Sequence, residues 1–386
     1  MLNDIRMGEF EQITLDSSAK TISFDSTYVD PVVIAGPITD NDSESAAVRV
    51  TDVQPDQATV KLHEPDGGSH ANETVPILVA EQGKWDLDDG TAIEIGTRNI
   101  DADSQNFRNV NFDRSFSNAP IVLSQVQTNN DSAFVVTRQD GSSTSAFGVS
   151  LQEDDGADNV HGTEQVAYIA VDTPTANGTA EDDSSPARNL ETHVENNVRG
   201  RDNTHSTPSF DTSFSPGPTV FAQMATFNGP DASWMRFGGS GPPEMFDEED
   251  QTGNGERSHT TEDVDVLAVD GTSGTLTGDL TPPDVDVTNV TASPAPISPG
   301  LSGTAAFTIT VDFDQKMDTG VAPSVTFPTA SEDPDPTLTL NAGASQWLDD
   351  DTYQAAYDVA DAGQVLTDID VAVDGAKSAL GKVQGS

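Results

Sequence analysis

Three arginine–histidine pairs recur at nearly constant spacing: Arg49 with His70, Arg138 with His161, and Arg236 with His259, separated by 21, 23 and 23 residues. A glutamate follows each histidine by three positions (Glu73, Glu164, Glu262), and an acidic residue closes the next apolar run 11 positions after the histidine (Glu81, Asp172, Asp270). An imidazole beside such a carboxylate can pin a loop to the start of a strand by hydrogen bonding. It can also offer two ligands to a metal, which would then need further donors. Neighbouring loops hold many carboxylates: Glu64 and Asp66, then Glu153, Asp154 and Asp155, then Asp247 to Asp250. With 65 Asp and Glu in the chain, closeness of two carboxylates in sequence is no mark of acid–base catalysis. No phosphate-cradling glycine loop, nucleophile elbow or zincin motif is present. The expectation is a protein that is not an enzyme, with no catalytic residues and no dedicated metal site.

These residues belong to three copies of one pattern, which places each on an equivalent element. The first copy reads ISFDSTYVDPVVIAG, AAVRV and SHANETVPILVAE; the second VNFDRSFSNAPIVLSQ, FVVTR and VHGTEQVAYIAVD; the third PSFDTSFSPGPTVFAQ, SWMRF and SHTTEDVDVLAVD. Phe24, Phe112 and Phe210 are equivalent, as are Pro31, Pro120 and Pro218. Each of these prolines enters an apolar strand at its first residue, where no ladder N–H is lost. Alternating or continuously apolar runs separated by turn signals such as Pro65-Asp66-Gly67-Gly68 indicate antiparallel sandwiches. The expected boundaries are 8–84, 90–173 and 187–271. Thr173 to Pro186 and Gly271 to Pro283 have linker composition, and Ile93 and Ile95 should face inward from the first strand of the second copy. Beyond Pro283, alternation at Phe307, Ile309, Val311 and Phe313 and at Tyr353 with Tyr357 predicts a further small β-sandwich over 284–386.

The stretch FTITVDFDQKMDTGVAPSVTF, followed by TLTLNAGASQW and YQAAYDVADAG, resembles the immunoglobulin-like modules of bacterial adhesins and cell-surface proteins. That resemblance implies a spacer or adhesive unit without chemistry. The three copies resemble H-type lectin domains. An opening strand (Phe10-Glu11-Gln12, Ile93-Glu94-Ile95, Leu190-Glu191-Thr192) is followed by an F-x-x-x-[YF]-x-x-x-P-x-V segment, allowing one inserted residue. A central-strand arginine, a histidine-bearing loop and an apolar strand ending in an acidic residue complete the likeness. It implies six-stranded antiparallel sandwiches that associate as trimers and bind galactose-type sugars near subunit junctions. Carried over by position, the glycan contacts would be Arg49, His70, Arg138, His161, Arg236 and His259. Their donors could fork onto adjacent hydroxyls, although no aromatic platform recurs beside the histidines.

The formal charge is −48, from 17 Lys and Arg against 65 Asp and Glu in 386 residues, and it is spread along the chain. Self-repulsion on that scale opposes compactness at low salt, and molar salt shortens the Debye length to about 3 Å. The composition therefore points to a very salty milieu. Without Lys/Arg clusters nucleic acid is not an expected partner. With no cysteine, disulfides and thiolate metal sites are excluded. The residues from Met1 to Phe10 lack a signal-peptide pattern, and no apolar run has the length of a membrane span. Together with the surface-type modules, this leads to the expectation of a tail fibre, spike or turret on a virion infecting a halophilic archaeon. Such a protein would be a homo-oligomer, most simply a trimer, contacting other virion proteins and a host glycan. The alternatives are a purely structural spacer, a cell-surface adhesin, and three copies packed within one chain as a pseudo-trimer. No cofactor is implied, although Asp312, Asp314 and Asp318 could ligate calcium. Asn41, Asn72, Asn130, Asn177 and Asn289 lie in glycosylation sequons.

Overall fold

The computed structural model describes residues 2–101, 105–158, 160–175, 178–215, 217–238 and 243–384. The fold is all-β and antiparallel, and the one helical element among the described residues is a short 3-10 turn, Pro299–Leu301. The chain divides into two units, Met1–Thr281 and Pro282–Ser386.

In the first unit, β1 (Leu2–Leu15), β2 (Lys20–Ser23), β3 (Pro31–Ala35), β4 (Ala47–Gln54), β5 (Gln57–His63) and β6 (Glu73–Glu81) form the first repeat. One sheet runs β1-β6-β3 and the other β2-β5-β4. After β7 (Gly83–Asp86), the second repeat follows the same plan. Its strands are β8 (Ala92–Ile100), β9 (Arg108–Asn111), β10 (Ile121–Val126), β11 (Val136–Ser142), β12 (Ala146–Gln152) and β13 (Glu164–Asp172). They pair as β8-β13-β10 and β9-β12-β11. The third repeat has β14 (Thr179–Glu181), β15 (Asn189–Val198), β16 (Pro218–Met224), β17 (Ser233–Phe237), β18 (Met245–Glu249) and β19 (Glu262–Asp270). Its sheets are β14-β15-β19-β16 and β17-β18, and isolated bridges Gly200–Asp247 and Ser206–Met245 stand where the other repeats have β2 and β9.

Burial follows the pleat. Along β5, Ala58, Val60 and Leu62 are buried while Thr59, Lys61 and His63 are only partly covered, as expected of a strand with one face on the core. β6, β13 and β19 are buried almost throughout, because each has a strand paired on both sides and both of its faces are covered. Each repeat keeps its own apolar core, around Val33, Val60 and Val79 in the first, Val122, Phe147 and Tyr168 in the second, and Val220, Phe237 and Val266 in the third. Ile93 and Ile95 are buried in β8.

Two segments of linker composition turn out to carry strands. Gly271 to Pro283 contains β20 (Ser273–Thr281), which pairs with β1 along most of its length and with β7 at its end. β20 thereby returns the end of the third repeat to the first and, through β7, to the second. Gly83 permits this close approach: it sits at φ +146°, and a Cβ there would lie 2.5 Å from a Leu280 methyl. Thr173 to Pro186 contains the short strand β14, which edges β15. Small and polar residues look like linker in composition, but their backbone N–H and C=O groups still complete a sheet edge.

The second unit contains β21 (Val287–Ser293), β22 (Gly303–Phe313), β23 (Ser324–Thr326), β24 (Leu338–Leu340), β25 (Gln346–Trp347), β26 (Thr352–Val359) and β27 (Ala372–Asp374). A five-stranded sheet carries β21-β22-β26-β24 with β25 also on β26, and a small sheet pairs β23 with β27. Phe307, Ile309, Val311, Phe313, Tyr353 and Tyr357 form its core.

Candidate functional site

Each histidine is held at the start of the middle strand of its repeat between two glutamates. His70 Nδ1 meets Glu64 Oε1 at 2.9 Å and Nε2 meets Glu73 Oε1 at 3.2 Å. The corresponding distances for His161 are 3.0 Å to Glu153 and 3.3 Å to Glu164. For His259 they are 3.3 Å to Glu249 and 3.5 Å to Glu262. The His-x-x-Glu spacing therefore reports a loop pinned onto a strand.

The arginines do not join the histidines of their own repeats. Arg49 Nη2 donates to Glu164 Oε1 of the second repeat at 2.8 Å, and Arg138 Nη2 to Glu262 Oε1 of the third at 3.1 Å. Arg236 Nη2 donates to Glu73 Oε1 of the first at 3.0 Å. Each repeat supplies an arginine to the next, and the third returns to the first, so the contacts close into a ring. The pairing of Arg49 with His70, Arg138 with His161 and Arg236 with His259, inferred from spacing, is replaced by a cyclic one. A motif repeated three times serves equally well within a copy or between copies, and linear spacing cannot tell them apart.

All six side chains are buried; the most exposed, His259, shows 8% of its surface. Burial disfavours the imidazolium of His70, but the hydrogen bonds it donates to Glu73 and Glu64 outweigh it and hold its pKa above the ordinary value. For His259 burial is again opposed, by Glu262 and Asp247, with the same net direction. Glu73, Glu164 and Glu262 are desolvated too, yet their donors keep each below the usual carboxylate range.

Those donors include residues the repeat alignment passed over. Thr39 Oγ1 donates to Glu73, Thr128 Oγ1 to Glu164 and Thr226 Oγ1 to Glu262, each at 2.5 Å. The backbone N–H groups of Asn41, Asn130 and Asn228 donate to the same carboxylates. The signal was legible, since a Thr-x-Asn triplet stands eight positions after the conserved-pattern prolines Pro31, Pro120 and Pro218 in all copies. The opening strands also need a correction. Glu9, not Glu11, is the equivalent of Glu94 and Glu191, because their strand partners Val79, Ala170 and Ala268 all lie two residues before the closing acid. A slip of two residues preserves the alternation and so escapes a pattern match. These glutamates accept the N–H groups after the repeat phenylalanine: Asp25 on Glu9, Asp113 on Glu94 and Asp211 on Glu191.

Further contacts seal the repeat boundaries. Gln127 brackets Val33, accepting its N–H and donating to its carbonyl, both at 2.8 Å. Asp265 accepts the N–H of Val122 at 2.7 Å. The equivalent positions Ala47, Val136 and Trp234 meet with Phe134 in one small apolar cluster that marks a pseudo-threefold axis. A cavity of about 60 Å³ beside it is lined by matching residues of all three repeats, including Val48, Thr137 and Met235.

Asp312, Asp314 and Asp318 are not brought together around a cation position. Asp318 pairs with Lys377 at 3.1 Å, Asp312 accepts from Asn289, and Asp314 accepts the Asp286 N–H. Among the sequons, Asn41 and Asn130 donate their side-chain amides to the Asn72 and Thr163 carbonyls. Asn177 lies outside the described residues. No helix among the described residues is long and apolar enough to cross a membrane.

No protein-family model matches the chain, and no solved structure matches it. The chain is similar to halomucin of Haloquadratum walsbyi (strain DSM 16790 / HBSQ001), at 29% identity over a 363-residue alignment. The match covers 88% of the chain but 4% of halomucin, so the chain corresponds to a small part of that protein's length.

Proposed function

We propose that the chain is a non-enzymatic structural segment of a salt-adapted surface protein, and that its first unit is a self-closed, monomeric stand-in for a lectin-type trimer. The observation that carries this reading is the ring of buried Arg–Glu pairs. The arginines and histidines that a lectin would turn toward sugar are spent here on holding three repeats together, and each repeat already has both neighbours. The acidic composition and the likeness to a protein named as a mucin of a Haloquadratum support a surface role in high salt. A virion fibre that contacts host glycan through the arginine–histidine positions is the competing reading.

One experiment separates them. The purified chain, kept in molar KCl, is weighed by light scattering and then offered to a glycan array and to intact halophilic cells. The structural reading expects a particle of one chain mass, 40.6 kDa, with no saturable glycan or cell binding. A stable trimer that binds cells, and whose binding a soluble sugar displaces, would overturn it.

A further inference from the structure

The third repeat gathers more negative charge at its histidine than the other two. In the first repeat two glutamates, Glu64 and Glu73, contact His70, and in the second Glu153 and Glu164 contact His161; Arg236 beside His70 has Glu248 and Asp40 as further partners of its own. In the third, Glu249 and Glu262 face His259 and Arg138, but a third carboxylate joins them. Asp247 occupies the position held by Leu62 and Leu151, is fully buried, and lies 3.5 Å from the imidazole.

On the solvent side the excess grows. A carboxylate oxygen from each of Asp231, Glu249 and Glu256 lies within 4.8 Å of the other two. Glu249 is fully buried, with Oε2 on His259 Nδ1 and Oε1 without any hydrogen-bond partner among the described residues. A buried carboxylate oxygen lacking a donor is costly, and the carboxylates of Asp231 and Glu256 near Glu249 add like-charge repulsion. Glu153 also leaves one oxygen, Oε2, unpartnered, but among the described residues no group of carboxylates closes around it. The two other acidic groups of this kind, Asp4 with Asp183 and Asp279, and the run Asp349 to Asp351, contain no fully buried member.

We propose that Asp231, Glu249 and Glu256 bind a divalent cation of the calcium class, with water completing its shell. Three oxygen donors and no free nitrogen or sulfur suit a hard cation, and flexible carboxylates from separate segments tolerate the irregular shell of Ca²⁺ better than the strict octahedron of Mg²⁺. The donors come from the loop before β17, the end of β18 and the loop before β19. The cation would therefore fasten the loops that carry His259 and lead into Arg236. Molar monovalent salt competes for the same oxygens, and three formal negative charges favour the divalent ion. The site does not depend on where the protein is used.

The test uses the full chain in molar KCl, stripped with EGTA and titrated with CaCl₂ by calorimetry, with thermal denaturation in parallel. One stoichiometric Ca²⁺ and a rise in midpoint of roughly 5 °C at saturation are expected. Asp231→Asn and Glu256→Gln, at part-exposed and exposed positions, should each weaken Ca²⁺ at least roughly tenfold while leaving the midpoint in EGTA unchanged or higher. Asp350→Asn, in the exposed run of the second unit, should leave Ca²⁺ binding as it was. Absence of stoichiometric uptake by the unaltered chain, or uptake indifferent to both Asp231→Asn and Glu256→Gln, would overturn the proposal.

Discussion

Arg138 and Glu262 stand 124 residues apart in the chain and in different repeats, yet Nη2 of one donates to Oε1 of the other at 3.1 Å with both side chains almost wholly buried. Gln152 and Ser233 accept from its Nη1, and its Cζ lies over the Phe227 ring, 4.7 Å from the centroid. Because the same contact recurs at Arg49–Glu164 and Arg236–Glu73, each repeat is tied on both sides. No repeat can leave without depriving one arginine and one glutamate of the other two repeats of their partners.

Replacing Arg138 by methionine should therefore destabilise the first unit by about 3–5 kcal/mol, since buried Glu262 loses its arginine and keeps only His259, at 3.5 Å, as a cationic partner. Adding Glu262→Gln to Arg138→Met should recover part of the loss by removing the stranded charge. Chemical denaturation of the full chain in molar KCl measures both. A cost below about 1 kcal/mol, the range of an exposed pair, would mean that the ring does not hold the repeats together.

His70 gives the assembly a pH dependence. Its pKa in the folded state is raised, against burial, by Glu73 and Glu64, with Arg236 opposing from the third repeat. A raised folded value means that protonation stabilises: the contribution is complete below the ordinary histidine value of about 6.5 and is lost as pH climbs through the folded value. Thermal midpoints at fixed salt should fall as pH rises from near neutrality into the alkaline range. His70→Gln should start lower and show a shallower fall. A His70→Gln profile parallel to that of the unaltered chain would remove His70 from the account.

The fold class and the repeat landmarks were readable because alternation and three-fold repetition are local signals. Pro31 and Pro218 begin their strands, Pro120 directly precedes its own, and the His-x-x-Glu contacts form inside one copy. The destination of Arg49, Arg138 and Arg236 was not readable, since a cyclic arrangement of like parts leaves no trace in linear spacing. The strand at Ser273–Thr281 was hidden by composition: it is rich in Gly, Ser and Thr, and its place is fixed by pairing with residues at the other end of the unit. The convergence of Asp231 with Glu256 on Glu249 was hidden by abundance, carboxylates being everywhere in the sequence.

Asp265 and Gln127 solve the same problem with different chemistry. Both satisfy the outer edge of an adjacent repeat's strand, at Val122 and Val33, but Asp265 does so with a group that burial pushes up to about 7. An acid whose folded pKa is raised favours folding while protonated, and that advantage is lost as pH rises from the ordinary aspartate value through the folded one. Asp265→Asn keeps an oxygen for the Val122 N–H and cannot ionise. It should raise stability at pH 8 by about 4 kcal/mol, at 1.36 kcal/mol per pK unit, and at pH 5, already above the ordinary aspartate value, by only about 1–2 kcal/mol. Equal effects at the two pH values would show that Asp265 is already ionised in the folded chain at pH 5, without a raised pKa.

Surface and buried charge should separate by their response to salt. The net −48 is carried mostly by carboxylates with access to solvent, whose repulsion reaches about 10 Å at 0.1 M salt and about 3 Å at 1 M. Dilution from molar to tenth-molar KCl should lower the unfolding midpoint of the whole chain steeply. The Arg138–Glu262 pair lies out of contact with solvent, so salt cannot screen it. Arg138→Met should consequently shift the entire curve of midpoint against salt downward without altering its slope. A slope that flattens in Arg138→Met would place the salt response in the ring itself and not in the acidic surface.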